Sequence, residues 1–444
     1  VMVFFLARKR FDPTVAWISA ALFLGTDLFW RFSISGLSTM LLIVIFIALV
    51  WCLSWLEEGY REAKLGPGSL LLLAILAGLL TGLGGLTRYA FGLLIIPVLI
   101  YLILFFGRSR VILCLAALVA FAMVMSPWVI RNYHVSHTPF GTAGYAMYEA
   151  TSFFPEHRLE RSLNPDLSRV TYRQLWSKFI GNTRIIMHED LPKLAGGWLG
   201  ALFFVGLLVG FRNPTLNRLR YFLLLCLPVL MVAQAMGRTQ LSEDSPVINS
   251  ENLLVLLAPI IIIYGVSFFF TLLDQMDLPV RQLRYLLTGV FCTLVCLPAV
   301  FSLVSSRKMA FAFPPYNPAI IQKTAGWTKE NELMMSDVPW AVAWYGQRQC
   351  LWATLGLQTD FFSISDYQKP ISAIYLTTIT MDQRFLSQWI RNSDFSWGGF
   401  VLEYGILKKP LPGSFPLKKA LPTWMPDHFI LMDYDRWNQA GAPQ

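Results

Sequence analysis

The sequence is poor in charge and in cysteine. Only 14% of its 444 residues are charged, whereas 55% are hydrophobic and the mean hydropathy is +0.52. Lipid is the main solvent of such a chain, which excludes a soluble globular fold. Five of the six cysteines fall inside long apolar segments, so no disulfide framework is available. The sequence also contains no G-x-S-x-G elbow, no P-loop and no C-x-x-C pair.

The sequence contains many long apolar segments, which are candidate membrane spans. A membrane span needs roughly 17–25 apolar residues. Segments of about this length lie at 13–30, 37–57, 69–86, 89–106, 110–127, 195–211, 219–236, 251–273 and 284–305. Residues 1–7 are apolar but too short to cross, and they are interpreted as the remaining half of a helix. The predicted fold is therefore mainly α: a polytopic membrane helix bundle of about nine to ten spans.

Basic residues recur in every second gap between these segments. The positive-inside rule makes such gaps cytoplasmic. Much of the formal net charge of +9 lies there and orients helices, so nucleic acid is not predicted as a partner. The residues are Arg8, Lys9 and Arg10; Arg61 and Lys64; Arg108 and Arg110; Arg212, Arg218 and Arg220; and Arg281 and Arg284.

This topology places three stretches outside: 127–196, 237–252 and everything after about 305. We predict a multi-pass protein of the cell inner (cytoplasmic) membrane with two domains. Residues 1–305 form the membrane domain with an exterior loop at 128–195, and residues 306–444 form a small α/β domain on the exterior, periplasmic-type side. In the loop, 170–191 mixes apolar and basic residues as an amphipathic surface helix does, and either a lid or simple packing fits it.

The sequence of the exterior domain alternates between strand-like and helix-like runs. Strands are predicted at 333–335, 371–378, 400–404 and 429–432, and helices at 340–345 and 381–391. Many aromatic residues accompany them, and these either stack on sugar rings or pack in a core. The aromatic residues are Trp340, Trp344, Tyr345, Trp352, Trp389 and Trp397.

Four arginines stand at predicted exterior ends of spans, against the positive-inside trend. They are Arg31, Arg88, Arg131 and Arg238. If they converge at one depth, their planar guanidinium groups form a pocket for a phosphate or pyrophosphate. The alternative is that each reaches lipid headgroups or caps a helix carbonyl.

Acidic and amide residues cluster in the exterior loop 237–252. They are Glu243, Asp244, Asn249, Glu251 and Asn252. Such groups orient sugar hydroxyls, act as a general base or hold a divalent cation, and an ordinary solvated loop is the alternative. A metal site formed by His134, His137, Glu156 and His157 is one interpretation. The alternative is that these histidines lie at the membrane interface or in solvent and bind no metal. A divalent cation is thus the one cofactor left open.

Three short motifs at exterior ends of spans carry a family resemblance. They are Leu86-Thr87-Arg88-Tyr89, Pro127-Trp128-Val129-Ile130-Arg131-Asn132 and Ser250-Glu251-Asn252-Leu253. Together they resemble bacterial polyprenyl-phosphate-sugar-dependent glycosyltransferases, the C-type multispanning enzymes of the protein-mannosyltransferase and aminoarabinose-transferase kind. The resemblance covers about residues 1–305.

This resemblance implies transfer of a sugar on the outer face of the membrane. A lipid carrier presents the sugar, an acidic base deprotonates the acceptor, and basic groups hold the departing lipid phosphate. Arg88 and Arg131 match the family pattern and inherit the phosphate role, and Arg238 joins them by position. Beside them, the predicted substrate contacts are Tyr89, Asn132 and Asn252.

The catalytic acid is not identified by this resemblance. The family's first outer loop, with its catalytic aspartate, would precede Val1, so this chain is expected to lack it. Asp27 and Glu251 are the weaker candidates within the chain.

Two main hypotheses follow. The first is a glycosyltransferase that moves a hexose or pentose from a polyprenyl-phosphate carrier to a protein, lipid or glycan acceptor by inverting displacement. The alternative is a non-catalytic membrane scaffold that binds partners through its exterior domain. A lipid-linked-sugar transporter is disfavoured, because spans such as 89–106 and 251–273 carry almost no polar residue at mid-membrane.

Overall fold

The computed structural model describes residues 1–155, 158–210, 213–239, 242, 249–276, 280–304, 316–381, 396–421 and 428–439. The chain divides into two compact units. The first, here called the membrane unit, comprises Val1–Glu156 and Ser168–Ser305. The second unit comprises His157–Leu167 and Ser306–Gln444.

Helices make up nearly all of the described chain before residue 305. They are α1 (Met2–Arg10), α2 (Pro13–Gly25), α3 (Asp27–Ile34), α4 (Thr39–Arg61), α5 (Pro67–Thr87), α6 (Tyr89–Gly92), α7 (Ile95–Phe105), α8 (Arg110–Ser136), α9 (Arg158–Arg161), α10 (Tyr172–Ile185), α11 (Trp198–Gly206), α12 (Pro214–Gly237), α13 (Ala258–Gln275) and α14 (Arg281–Val304). The predicted mainly helical bundle is confirmed.

The number of full-length spans differs from the expected nine to ten. Six helices of the described chain are long and apolar enough to cross a membrane: α4, α5, α8, α12, α13 with its preceding 3₁₀ turn, and α14. The pair α2 and α3 adds a seventh if it is one span, but it bends by 55° where Thr26 leaves the helical region. The segments predicted at 89–106 and 195–211 form shorter helices, α6 with α7 and α11.

Local sequence explains where several helices begin. In two helices of the membrane unit, proline at the first helical position follows a capping side chain, which satisfies an amide that the helix itself leaves without a partner. Asp12 accepts a hydrogen bond from the Val15 amide at 2.9 Å at the start of α2. Asn213 accepts one from the Thr215 amide at 3.0 Å at the start of α12.

Glycine brings α5 and α8 into close contact. A Cβ atom on Gly78 would lie 2.1 Å from the Ala117 carbonyl oxygen, and one on Gly82 would lie 2.8 Å from the Val124 Cβ. This four-residue spacing of glycines is typical of membrane helices whose backbones touch. The contact holds the end of α5 beside the end of α8, so the motifs around Arg88 and Trp128 become neighbours.

The membrane unit has one end rich in paired basic residues, here called the basic end, where α4 ends and α12 begins. Glu57 is fully buried there. Its Oε1 accepts from Arg218 Nη1 at 2.8 Å and lies 3.2 Å from Arg61 Nε. The opposite end, where α5 and α12 finish, is called the loop end. It carries Arg88 and Arg238.

The second unit is a five-stranded mixed sheet with helices. Its strands are β1 (Leu333–Ser336), β2 (Gln349–Trp352), β3 (Ile371–Leu376), β4 (Lys419–Ala420) and β5 (Phe429–Met432), in the order β2-β1-β3-β5-β4. β1 pairs in parallel with β2 and β3, whereas β5 runs antiparallel to β3 and β4. The helices are α15 (Pro318–Gly326), α16 (Pro339–Gly346), α17 (Phe362–Tyr367), α18 (Thr378–Met381), α19 (Ser396–Phe400) and α20 (Arg436–Gln439).

The predicted α/β domain is therefore confirmed, with one wrong element. The strands predicted at 333–335, 371–378 and 429–432 are present as β1, β3 and β5. The segment predicted as a strand at 400–404 is helical: it joins the end of α19 to the π-helix Val401–Ile406. Its short apolar run packs on one side of the sheet, where a helix buries Phe400 and Val401 equally well. Most of the helix predicted at 381–391 lies outside the described residues.

A piece of the segment that was predicted as the first exterior loop is built into the second unit. Arg161 Nε, in α9, donates to the Ala353 carbonyl at 2.6 Å, and the Leu355 amide donates to the Arg161 carbonyl at 3.1 Å. Leu163 packs against the core that lies on one face of the sheet. The unit is thus assembled from two stretches of chain that are far apart in sequence.

Candidate functional site

The loop end of the membrane unit gathers most of the predicted site residues. α5 ends at Thr87, immediately before Arg88, and α12 ends at Gly237, immediately before Arg238. α8 passes the same level and continues to Ser136. Helix ends leave backbone groups without intrahelical partners, and this is where polar side chains are needed.

Tyr89 joins the α5 and α8 motifs through a hydrogen-bonded group. Its hydroxyl accepts from Trp128 Nε1 at 2.6 Å and from Asn132 Nδ2 at 3.0 Å. The guanidinium of Arg131 lies over the Trp128 ring, 4.7 Å from its centroid, and the Arg131 side chain is exposed. Tyr89, Asn132 and Arg131, which were predicted separately from two motifs, are therefore neighbours.

Arg88 connects this group to the loop before α13. It is half-buried and donates through Nη1 to the Ser250 carbonyl oxygen. Burial lowers the pKa of Arg88, and the nearby Glu251 carboxylate raises it. One N–H group of Arg88 is therefore used in a structural hydrogen bond. The guanidinium is also close enough to the Glu251 carboxylate for the two charges to attract each other.

Glu251 is buried and holds the surrounding backbone in place. Its carboxylate accepts from the Thr239 amide at 2.9 Å, from the Thr239 hydroxyl at 2.6 Å and from the Ser242 hydroxyl. Its own amide donates to Asn249 Oδ1 at 2.9 Å. A carboxylate that accepts three hydrogen bonds from one loop is well suited to fixing that loop.

A cavity of about 120 Å³ opens between α3, the end of α10 and the loop beside Arg238. Two predicted site residues, Arg238 and Asn252, line it. Its polar lining also includes Asp190, Lys193 and Asn249, and we call it the Arg238 pocket. The Asn252 side chain is partly committed, because its Oδ1 accepts from the Leu254 amide at 3.1 Å.

One terminal nitrogen of the Arg238 guanidinium, Nη1, has no close partner among the described residues. This atom lies 3.8 Å from Asp190 Oδ2, which is too long for a hydrogen bond. Nη1 is buried and has no hydrogen-bond partner in the described part of the chain. A buried cationic donor without a partner is costly, so this atom has strong unused capacity for an anion.

Asp190 and Gln234 form a chain of contacts behind Arg238. Gln234 Nε2 donates to Asp190 Oδ2 at 2.7 Å, and Gln234 Oε1 accepts from the Leu253 amide at 3.1 Å. Burial raises the pKa of Asp190 above its ordinary value, while Arg238 and the hydrogen bond from Gln234 act in the opposite direction. Asp190 is therefore easier to protonate than an exposed aspartate.

Lys178, in α10, lies buried near the same region. Its ammonium donates to the Ala146 carbonyl at 2.6 Å and to the Glu149 carbonyl. Burial lowers the pKa of Lys178 to about 8, and the charges of Glu149 and Glu251 oppose this shift. The amphipathic character expected at 170–191 is thus present in a helix that also carries a buried cation.

The four arginines, which would form one phosphate pocket if they converged, are distributed over several contacts. Arg31 forms an ion pair with Asp27 four residues earlier on α3, and neither residue lines the Arg238 pocket. Neither Arg88 nor Arg131 lines the Arg238 pocket. They are linked indirectly, because Arg131 stacks on Trp128 and Trp128 bonds to Tyr89, the residue next to Arg88.

The metal hypotheses gain no geometric support within the described residues. No group of three or more His, Cys, Asp or Glu side chains able to hold a metal ion occurs there. His134 and His137 are exposed near the end of α8. Four of the proposed ligands lie outside the described residues: Glu156, His157, Glu243 and Asp244.

Sequence reasoning missed Asp190, Gln234 and Lys178. Gln234 carried a signal, because an amide inside the apolar segment 219–236 is costly unless it is bonded. Asp190 and Lys178 had no comparable signal. Both sit in an amphipathic stretch where charges are ordinary, and only the fold shows that these two are half-buried or buried.

Comparison with known proteins bears on the membrane unit alone. No curated protein and no solved structure matches the chain. Residues 1–130 of the 444 match the family model described as dolichyl-phosphate-mannose-protein mannosyltransferase. The matched stretch includes Arg88, Tyr89 and Trp128, whereas Asp190 and Arg238 lie beyond it. The match supports the resemblance to the C-type glycosyltransferase superfamily, and with it the transfer of a sugar from a lipid phosphate in general.

Proposed function

We propose that this protein transfers a sugar from a polyprenyl-phosphate carrier to an acceptor at the loop end of its membrane unit. The reaction takes place on the outer face of the cytoplasmic membrane. The side follows from the positive-inside rule, since the basic end carries Arg61, Arg108 and Arg110. The family match of residues 1–130 supports the lipid-phosphate donor.

The buried Nη1 of Arg238, which has no hydrogen-bond partner in the described chain, is the observation that carries the proposal. When the bond between the sugar carbon and the phosphate oxygen breaks, negative charge develops on the leaving phosphate. A preorganised guanidinium stabilises that charge more in the transition state than in the ground state. Arg238 is therefore assigned to the lipid phosphate.

The size of the Arg238 pocket is consistent with this role. Cavities for drug-sized ligands measure roughly 300–1,000 Å³. At about 120 Å³, the pocket holds a phosphate group and leaves the sugar and the polyprenyl chain outside it. Asn252 lines the pocket beside the phosphate, and Tyr89 and Asn132 are assigned to contacts with those outer parts of the donor.

Asp190 is assigned to positioning Arg238 and not to proton transfer. In an inverting displacement the acceptor attacks the sugar carbon from the side opposite the leaving phosphate. A base for the acceptor must lie on that opposite side, whereas Asp190 Oδ2 is only 3.8 Å from the guanidinium that holds the phosphate. For the reasons given above, neither Asp27 nor Glu251 is assigned as the base.

Binding of polyprenyl phosphate tests the assignment without requiring catalysis. Arg238→Gln in the full chain is expected to weaken binding by about tenfold to a hundredfold, the range expected for a hydrogen bond to a charged group. Arg31→Gln is the matched control, because it removes the same charge from the same end but lies outside the pocket. Equal affinities for Arg238→Gln and wild type would overturn the assignment.

The pH profile of the same binding tests Asp190. A negative Asp190 competes with the phosphate for Arg238, so affinity is expected to rise as the pH falls through the raised pKa of Asp190. Asp190→Asn should bind more tightly at neutral pH and lose this dependence. A full chain that binds polyprenyl phosphate but transfers no sugar would instead support a non-catalytic membrane subunit.

A further inference from the structure

A second cavity, of about 350 Å³, lies at the basic end of the membrane unit. It is a cleft between the end of α1, the last turns of α4 and the start of α5. Lys9 and Lys64 stand in its lining together with the apolar side chains of Trp55, Leu65 and Leu72. The cleft is far from the Arg238 pocket, because α4 and α5 run the length of the unit between the two ends.

The ion pairs around this cleft contain more positive than negative charge. Among the described residues, five cations face three carboxylates in these ion pairs, which leaves two positive charges in surplus. The cations are Lys9, Arg10, Arg61, Lys64 and Arg218, and the carboxylates are Glu57, Glu58 and Glu62.

Lys9 and Lys64 are the two cations whose positive charge the neighbouring carboxylates do not need for neutralisation. Glu58 lies 3.0 Å from Arg10 Nη2 and 3.3 Å from Lys9 Nζ, so the nearly buried Arg10 neutralises it without Lys9. Glu62 is paired in the same way by Arg61 at 2.6 Å as well as by Lys64. The lysine side chains are 37% and 65% exposed, and a flexible ammonium can turn toward an incoming anion.

The apolar wall of the cleft is open to the bilayer. Leu72 is 66% exposed and Trp55 is 46% exposed, on helices that cross the membrane. The Lys9 ammonium lies 4.9 Å from the centroid of the Trp55 ring. An indole beneath a cation is typical of the interface, where headgroups meet acyl chains.

We propose that this cleft binds an anionic glycerophospholipid of the leaflet at the basic end. Its phosphate lies between Lys9 and Lys64, and one acyl chain follows Trp55 and Leu72. The apolar wall offers few partners for a nucleotide or a free sugar, whereas it suits a hydrocarbon chain. The anionic surface of the cytoplasmic leaflet attracts basic segments of this kind.

Lipid binding to the full chain in zwitterionic micelles tests the proposal, with native mass spectrometry as the readout. The probes are short-chain phosphatidylglycerol, phosphatidylcholine of the same chain length and inorganic phosphate. Wild type is expected to retain phosphatidylglycerol selectively. Each lysine should contribute about fivefold, so Lys9→Gln with Lys64→Gln should lower that affinity by about 25-fold.

The matched control removes equal charge from the same end. Arg108 and Arg110 are exposed and do not line the cleft, so Arg108→Gln with Arg110→Gln should leave phosphatidylglycerol binding within about twofold. An equal loss in both double variants would show attraction by net charge alone and overturn the site. Inorganic phosphate that competes at similar concentration would also overturn it, because the headgroup anion alone would then suffice.

A second pair of variants tests the acyl chain without changing charge. Leu72→Trp fills the cleft from an exposed, bilayer-facing position, where the fold is expected to tolerate it. Phosphatidylglycerol affinity should fall at least fivefold. Leu76→Trp, one turn further along α5 and also exposed, lies outside the cleft lining and should change little. Equal affinities for the two variants would place the acyl chain elsewhere.

Discussion

The two ends of the membrane unit hold arginine in different ways. At the basic end, Glu57 is fully buried and receives Arg218 at 2.8 Å and Arg61 at 3.2 Å. At the loop end, Arg238 Nη1 stays 3.8 Å from Asp190 and has no hydrogen-bond partner in the described chain. The first arrangement uses the cation to join α4 to α12. The second leaves the cation available, and we therefore place ligand binding there.

The largest expected effect on folding belongs to the basic end. Glu57→Ala would leave Arg218 and Arg61 without their shared buried carboxylate, and breaking such a pair costs about 3–5 kcal/mol. The apparent Tm in detergent should fall strongly, whereas Arg238→Ala should lower it little. Glu62→Ala, at an exposed carboxylate of the same end, is the control. If Glu57→Ala were as stable as wild type, the ion pairs of the basic end would not stabilise the fold more than Arg238 does at the loop end.

The next largest effect is expected at the close contact between α5 and α8, which holds the two helix ends together at the loop end. Gly78→Ala places a methyl group about where the Ala117 carbonyl oxygen lies, since an added Cβ would be 2.1 Å from it. Overpacking of this kind costs about 1–3 kcal/mol, and it should separate the ends of α5 and α8. Thermal unfolding and polyprenyl phosphate binding should both decrease. Gly289→Ala in α14, where an added Cβ meets nothing within 4 Å, should change neither.

A smaller effect follows from the buried cation of the loop end. The unfolded pKa of a lysine is about 10.4, whereas that of Lys178 in the fold is about 8. Between these values the unfolded chain binds more protons than the folded one, so folding stability should rise with pH across this window. The apparent Tm of wild type and of Lys178→Met should be measured from pH 7 to 10.5. As the pH rises, the Tm of wild type should increase relative to that of the variant. Parallel curves would mean that Lys178 titrates normally.

The smallest effect is expected at Arg131. Its guanidinium is exposed and stacks on Trp128, an interaction of about 0.5–1 kcal/mol. Arg131→Ala should therefore change polyprenyl phosphate affinity less than Arg238→Gln does. A larger loss for Arg131→Ala in the same titration would move the phosphate from the Arg238 pocket to the group around Tyr89.

Sequence alone predicted those features that depend on neighbours in the chain. Apolar length and the alternation of basic gaps gave the helical bundle, and short apolar runs gave β1, β3 and β5. The bend at Thr26 was missed because an apolar run does not show where one backbone residue leaves the helix.

Predictions for the candidate site were less complete, because it joins residues distant in sequence. Two of the motifs contain Arg88, Tyr89 and Asn132, and position in the chain added Arg238; the structure has all four at one end of the bundle. The motifs did not show that Arg238 meets Asp190, since that contact depends on how α10 and α12 pack. The ion pair between Arg218 and Glu57 likewise spans a separation that periodicity does not encode.

The contribution of α9 to the second unit has a consequence for biosynthesis. The backbone pairing of Arg161 with Leu355 requires residues that leave the ribosome before α11 to α14 and residues that leave it after them. Helix α9 must therefore wait until α10 to α14 and the first part of the second unit have been made. The residues after β2 complete the contacts of α9 only when they are made, so folding of the second unit is coupled in time to insertion of those helices.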